Sequence, residues 1–364
     1  MELYFHAGLN KAGSTYAQEL MSFNYEKLLQ SGIYYPNPKV VNSIARNSPG
    51  NALAFTKAIQ AGQLKNATHF LQNHVTSAKK NNCSRLLLSN ESLYHELVDH
   101  EKLAGFEAIC KDTGITNIKV LLIFRDPVSH ALSAYNHRAG SNQIPPFPQW
   151  VRNGLSYEGA SYEKGKTGYE FWEEITKFHN NLKAFENLGV EFAAYSSDVT
   201  DTIEKFCGIP LDRPPLTVSN VSLNCIEAEL LRIMGGTRPK YVRELWRRLK
   251  ELPRNEKAPD NYLRYKNQVA VHECSSEIAP VLAKLRELLD DDQFARAPVE
   301  SPTALFDKQE EPYLLLSRSQ LEVLMSLFDE NPAEHNLFAR IKKRISKGVP
   351  YSLRYRIKAL FGRT

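Results

Sequence analysis

Apolar and polar positions alternate along the chain as strand, loop and helix from its first residues. Leu3–Phe5 is a short apolar run that meets Gly8 and Gly13 almost at once. A helical spacing then runs from about Thr15 to Gln30 and stops at Gly32. Residues 37–82 are polar and helix-like, punctuated by Gly50 and Gly62. Arg85–Ser89 reads as the next strand, with a helix starting near Ser89 or Asn90, and a second helix spans Glu101–Thr113 up to Gly114. Ile118–Phe124 is apolar enough for a strand buried on both faces. Asp126-Pro127 opens a helix, with proline at the first helical position, where its missing N–H costs nothing. Phe171–Asn187 reads as a helix, Val190–Tyr195 as a strand and 226–289 as mainly helical. Strands alternating with helices predict an α/β fold with a parallel sheet and helices on both faces. Asp290–Pro312, acidic and proline-bearing, reads as a linker. The predicted organisation is an α/β body over 1–289, a linker-like segment over 290–315 and a basic helical extension over 316–364.

The net charge of +5 changes this picture only at one end. Leu337–Thr364 holds nine Lys/Arg and no Asp/Glu, so the first 336 residues carry about −4. The body is therefore not a nucleic-acid binder. The tail interleaves its cations with Ile341, Ile345, Leu353, Ile357, Leu360 and Phe361. It suits either peripheral contact with an anionic membrane or docking on the body. Five cysteines without a CxxC pair read as reduced thiols. The start Met1–His6 has neither a basic nor an apolar leader region, and no run of 18 apolar residues occurs. These features predict a cytoplasmic location.

The first strand–loop–helix carries candidate chemistry. Unpaired N–H groups at a helix N-terminus favour an anion, and the loop Gly8–Thr15 leads into such a terminus. Gly8 and Gly13 fit the spacing G-x-x-x-x-G, but Ser14 stands where a Walker loop has lysine. The lysine lies earlier, in Lys11-Ala12-Gly13-Ser14-Thr15. A second candidate grip follows the strongest strand: Arg125 at its carboxyl end, then Ser129 and Ser133 on one helix face. Glu91, just after Arg85–Ser89, is a candidate general base, with His95 one turn on as the weaker choice. Read structurally, Glu91 is a first-turn carboxylate favoured by the helix dipole.

Lys11–Thr15 resembles the 5′-phosphosulfate loop of sulfotransferases, and Arg125-Asp-Pro followed by Ser133 resembles their 3′-phosphate motif. The likeness covers about residues 1–235, with gaps, and points to the bacterial or carbohydrate-acting branch. It implies a three-layer, P-loop-like parallel sheet with helical C-terminal additions. It implies 3′-phosphoadenosine 5′-phosphosulfate as co-substrate without a metal. Lys11, Ala12, Gly13, Ser14, Thr15, Arg125, Ser133 and Tyr195 would hold the nucleotide, with Lys11 also acting on the bridging oxygen. Glu91 would deprotonate the hydroxyl of an acceptor, a glycan being one class. The residues leave two other readings: a P-loop kinase or phosphotransferase, and a non-catalytic module binding an anionic glycan or membrane partner.

Two weaker patterns remain. His95-Glu-Leu-Val-Asp-His100 is not HExxH, since Asp99 holds the i+4 place, and His272-Glu-Cys274 is too compact for a metal set. The irregular segment 139–168 carries Phe147, Trp150, Tyr157 and Tyr162, with Tyr169 beyond it. It is either an acceptor lid or a loop pinned to the body by its aromatics.

Overall fold

A computed structural model describes residues 1–8, 12–36, 50–124, 127–139, 145–150, 180–181, 188–194, 199–214, 223–235, 239–257 and 317–329. The chain divides into two compact units. The first comprises 1–130, 168–219 and 276–299; the second comprises 131–167, 220–275 and 300–364.

The first unit is built on a five-stranded parallel sheet. Its strands are β1 (Glu2–His6), β2 (Ile33–Tyr34), β3 (Arg85–Ser89), β4 (Asn117–Phe124) and β5 (Leu188–Ala194), in the order β2-β3-β1-β4-β5. β1 is central. Glu2 pairs with Arg85 and Asn117, and His6 with Ser89 and Leu121. Its interior position explains its apolar run, because both faces are covered. Phe5 meets Phe55 and Phe106 at ring separations of 6.3 and 6.4 Å, on helices α3 (Leu53–Gln60) and α6 (His100–Asp112). Tyr4, on the opposite face, meets Phe206 edge-on at 5.2 Å. Phe206 belongs to α8 (Val199–Cys207). The predicted α/β class and parallel sheet are thus observed.

The helix expected from Thr15 to Gln30 is two helices, α1 (Ser14–Phe23) and α2 (Tyr25–Gln30). Asn24 separates them. Its buried amide donates to the carbonyls of Leu20 (2.9 Å) and Asp212 (2.8 Å), and its oxygen accepts from the Asp212 N–H (2.7 Å). A local helical period cannot register a partner 188 residues away. The polar stretch holds α3 and α4 (Leu64–Lys80). The helix expected near Ser89 starts later, as α5 (Leu93–Leu97), because Asn90 first makes a side-chain turn to the Ser92 N–H (3.1 Å). β2, only two residues long, had no sequence signal. α7 (Pro127–Arg138) begins at the predicted proline. Cys83, Cys110, Cys207 and Cys225 are buried, and burial pushes the Cys110 thiol well up. No helix among the described residues is long and apolar enough to cross a membrane.

The second unit holds α9 (Cys225–Gly235), α10 (Pro239–Glu251) and α11 (Arg318–Asp329), and one buried carboxylate on α9 joins the segment after α10 to α11. Glu227 accepts from Lys257 (2.9 Å), from Gln320 (2.9 Å) and from the Asn224 N–H (2.9 Å). Its side chain is wholly buried and that of Lys257 is 5% exposed. Breaking such a pair strands a buried charge. Glu227→Gln should therefore cost about 3 kcal/mol in urea unfolding; a loss below about 1 kcal/mol would mean that Lys257 finds another partner. Phe147 and Trp150 are also buried here, packed edge-on against Tyr135 at 5.1 and 5.6 Å. These two aromatics therefore belong to the core, as the pinned-loop reading has it. Tyr157, Tyr162, Tyr169, the linker and the basic tail lie outside the described residues.

Candidate functional site

The chain leaves the central strand β1 towards one side of the sheet and later crosses to the other side as β4. The carboxyl ends of such strands form the ligand crevice of open α/β sheets. His6, Ala7 and Gly8 lie at this edge, followed by the loop into α1.

Three features converge there. Gly13, the N-cap position before α1, has φ 87° and supplies no side-chain cap. Helix-start N–H groups without a cap are the donors that an anion would use. Ala12 and Ser14 are buried and Thr15 is half-buried. Second, β3 delivers Glu91 to the same place. The Asn90 N–H donates to the His6 carbonyl at 3.1 Å, continuing the β1–β3 pairing past the end of β3. The Ser14 hydroxyl then donates to the Glu91 carboxylate. Third, Gly8 is the floor between them. Its φ is 54°, and a Cβ on it would meet Glu91 Cβ at 3.2 Å and His6 Cε1 at 3.4 Å. Only a residue without a side chain lets these groups close on the loop unhindered.

A buried polar layer lies under Glu91. His6 Nδ1 and Ser89 Oγ are hydrogen-bonded at 2.9 Å, and both residues are buried. Burial pushes the imidazole down to about 4, so His6 is neutral near pH 7. Among the described residues, its Nε2 and both amide atoms of buried Gln18 find no hydrogen-bond partner. Gln18 is four residues beyond Ser14, on the same helix face. Asn51 borders the layer and bonds to β3 beyond Leu86, where the two-residue β2 ends. Its oxygen accepts from the Ser89 N–H (2.8 Å), and its amide donates to the Leu87 carbonyl (3.2 Å).

Sequence reasoning thus brought together Gly13, Ser14 and Glu91. Lys11, Arg125 and Tyr195 lie outside the described residues, as does the side chain of Ser129. Ser133 is half-buried on α7, within the second unit. His95 sits on α5 with its ring against Tyr94 at 3.9 Å. Asp99, the residue that spoils the HExxH pattern, caps α6 by accepting from the N–H groups of Glu101 and Lys102 (2.9 and 3.1 Å). His6, Gln18, Ser89 and Gly50 were missed. A histidine closing an apolar strand, and a glutamine one turn after Ser14, were the available signals.

No family model, no curated protein and no solved structure matches the chain. What the site can do must come from its own chemistry. An uncapped helix start beside hydroxyl donors suits a phosphate or sulfate group, and a half-buried carboxylate touching that start suits proton removal.

Proposed function

We propose that this protein is a sulfotransferase, moving the sulfuryl group of 3′-phosphoadenosine 5′-phosphosulfate to an acceptor hydroxyl. One observation carries the reading: Glu91 and Ser14, 77 residues apart, meet at the uncapped start of α1, beside the central strand. A base and an anion seat in contact are what in-line transfer to a hydroxyl needs. The sequence likeness supplies the donor's identity, and with it the three-layer, P-loop-like description of the sheet.

In this reading the Glu91 carboxylate takes the proton of the acceptor hydroxyl. The acceptor oxygen bonds to sulfur while the bond from sulfur to the 5′-phosphate oxygen breaks, and the electron pair leaves with that phosphate. The N–H groups at the start of α1 and Lys11 stabilise the charge that develops there, and the Ser14 hydroxyl turns its one proton from Glu91 to the phosphate as Glu91 takes up the acceptor proton. Arg125 and Ser133 hold the 3′-phosphate, and Tyr195 approaches the adenine. No metal takes part. A hydroxyl on a carbohydrate is the favoured acceptor.

Calorimetry with 3′-phosphoadenosine 5′-phosphate against ATP–Mg²⁺ tests the class. The first should bind and the second should not; the reverse would make the protein a phosphotransferase, and silence from both would leave a non-catalytic module. Arg125→Ala should weaken binding of the bisphosphate about 10- to 100-fold, the worth of a charge-assisted hydrogen bond. It should barely change binding of adenosine 5′-phosphate. Equal losses for both nucleotides would remove Arg125 from the 3′-phosphate.

A further inference from the structure

Ser89, the last residue of β3, and Asn90 lead directly to Glu91. Both are buried, at 0% and 1% exposure. The backbone of Asn90 is fixed by the His6 carbonyl and its side chain by the Ser92 N–H. The side chain of Ser89 has the His6 ring as its partner. A Cβ added at Gly8 would fall 3.4 Å from Cε1 of the same ring and 3.2 Å from Glu91 Cβ. His6 therefore touches the end of the strand that delivers the carboxylate, and its ring and Glu91 both border the space above Gly8.

We infer that His6 is a positioning residue, which sets the reach of Glu91 to the start of α1 through its hydrogen bond with Ser89. The inference rests on the reading of Glu91 as the base. His6 is not itself the base. It is 1% exposed, and its hydrogen-bonded nitrogen is committed to Ser89. Its role is geometric. Removing the bond lets the Ser89–Glu91 segment relax, and a carboxylate displaced by about 1 Å loses proton-transfer efficiency much faster than nucleotide affinity.

Two isosteric variants separate the two ring nitrogens. His6→Asn puts an amide group near the place of Nδ1 and keeps the bond to Ser89. His6→Gln puts its amide near Nε2 and loses that bond. Both remove the ring, so both should lower thermal stability alike. Transfer from the donor to water and to a mixture of methyl glycosides is measured by release of the bisphosphate, with calorimetric affinity for the bisphosphate alongside. His6→Asn should keep most of the wild-type kcat. His6→Gln and Ser89→Ala should each lose about tenfold or more in kcat, with nucleotide affinity within about twofold of wild type. Equal kcat in the two His6 variants, or wild-type kcat in Ser89→Ala, would overturn the positioning role. Affinity falling in step with kcat would overturn it too. If the wild type binds the bisphosphate and transfers sulfuryl while the variants behave in one of these ways, this inference alone is defeated. A wild type that does neither would defeat the proposed function, and this inference with it.

Discussion

Glu91→Gln should lower sulfuryl transfer by about 10²- to 10⁴-fold, the usual worth of a positioned general base. The nucleotide should bind at least as tightly as before. Both halves follow from the Ser14–Glu91 contact. Glutamine matches the shape of the carboxylate and can still accept the Ser14 hydroxyl, so the turn and the loop stay closed. It cannot take a proton from an acceptor. It also carries no charge beside the seat proposed for an anionic donor, so it removes a like-charge neighbour rather than a ligand. Single-turnover transfer and calorimetry on the same preparation check both halves. Undiminished turnover would exclude Glu91 as the base. A large loss of nucleotide affinity would instead make its bond to Ser14 a support of the phosphate loop.

The strand Asn117–Phe124 and the helix after it were legible because their causes are local. A strongly apolar run such as Val120–Phe124 needs both faces buried, and a proline at the first helical turn needs no partner. The central strand was legible for the same reason. The break at Asn24 was not, since its cause is the backbone of Asp212. The site divides along the same line. Glycine spacing marks a loop where an anion can sit, and a carboxylate after a strand marks a base, so Gly13, Ser14 and Glu91 could be named in advance. Their support could not. His6 meets Ser89 across 83 residues, and only the register of β1 with β3 brings the two strand ends level. Nothing near His6 in sequence distinguishes it from a histidine at any strand end. Gly50 was visible as a break between helices, but not as a close approach to β3.

That close approach makes Gly50→Ala the most damaging small substitution near the site. Gly50 has φ 80°, a conformation that costs an L-residue about 1–2 kcal/mol by itself. Steric contact costs more. An added Cβ would fall 2.0 Å from the Ser89 carbonyl oxygen, 2.8 Å from its carbon and 2.9 Å from Gln18 Nε2. The first two atoms are backbone at the end of an interior strand and cannot turn aside. The chain at Gly50 must withdraw instead. Asn51 and Ala52 would go with it, and with them the bonds that the Ser89 N–H and carbonyl make to the Asn51 side chain (2.8 Å) and the Ala52 N–H (3.2 Å). Two buried groups of β3 would lose their partners, and the loss should exceed about 4 kcal/mol. Gly62→Ala supplies the control. Its φ of 66° carries the same backbone penalty, but nothing lies within 4 Å of the added carbon. Urea unfolding should give Gly62→Ala a midpoint slightly below wild type and Gly50→Ala one far below it, with transfer lost at denaturant levels that the control tolerates. Equal midpoints would mean that the segment at Gly50 moves off β3 without cost. The end of β3, and the carboxylate it carries, would then be held by β1 alone.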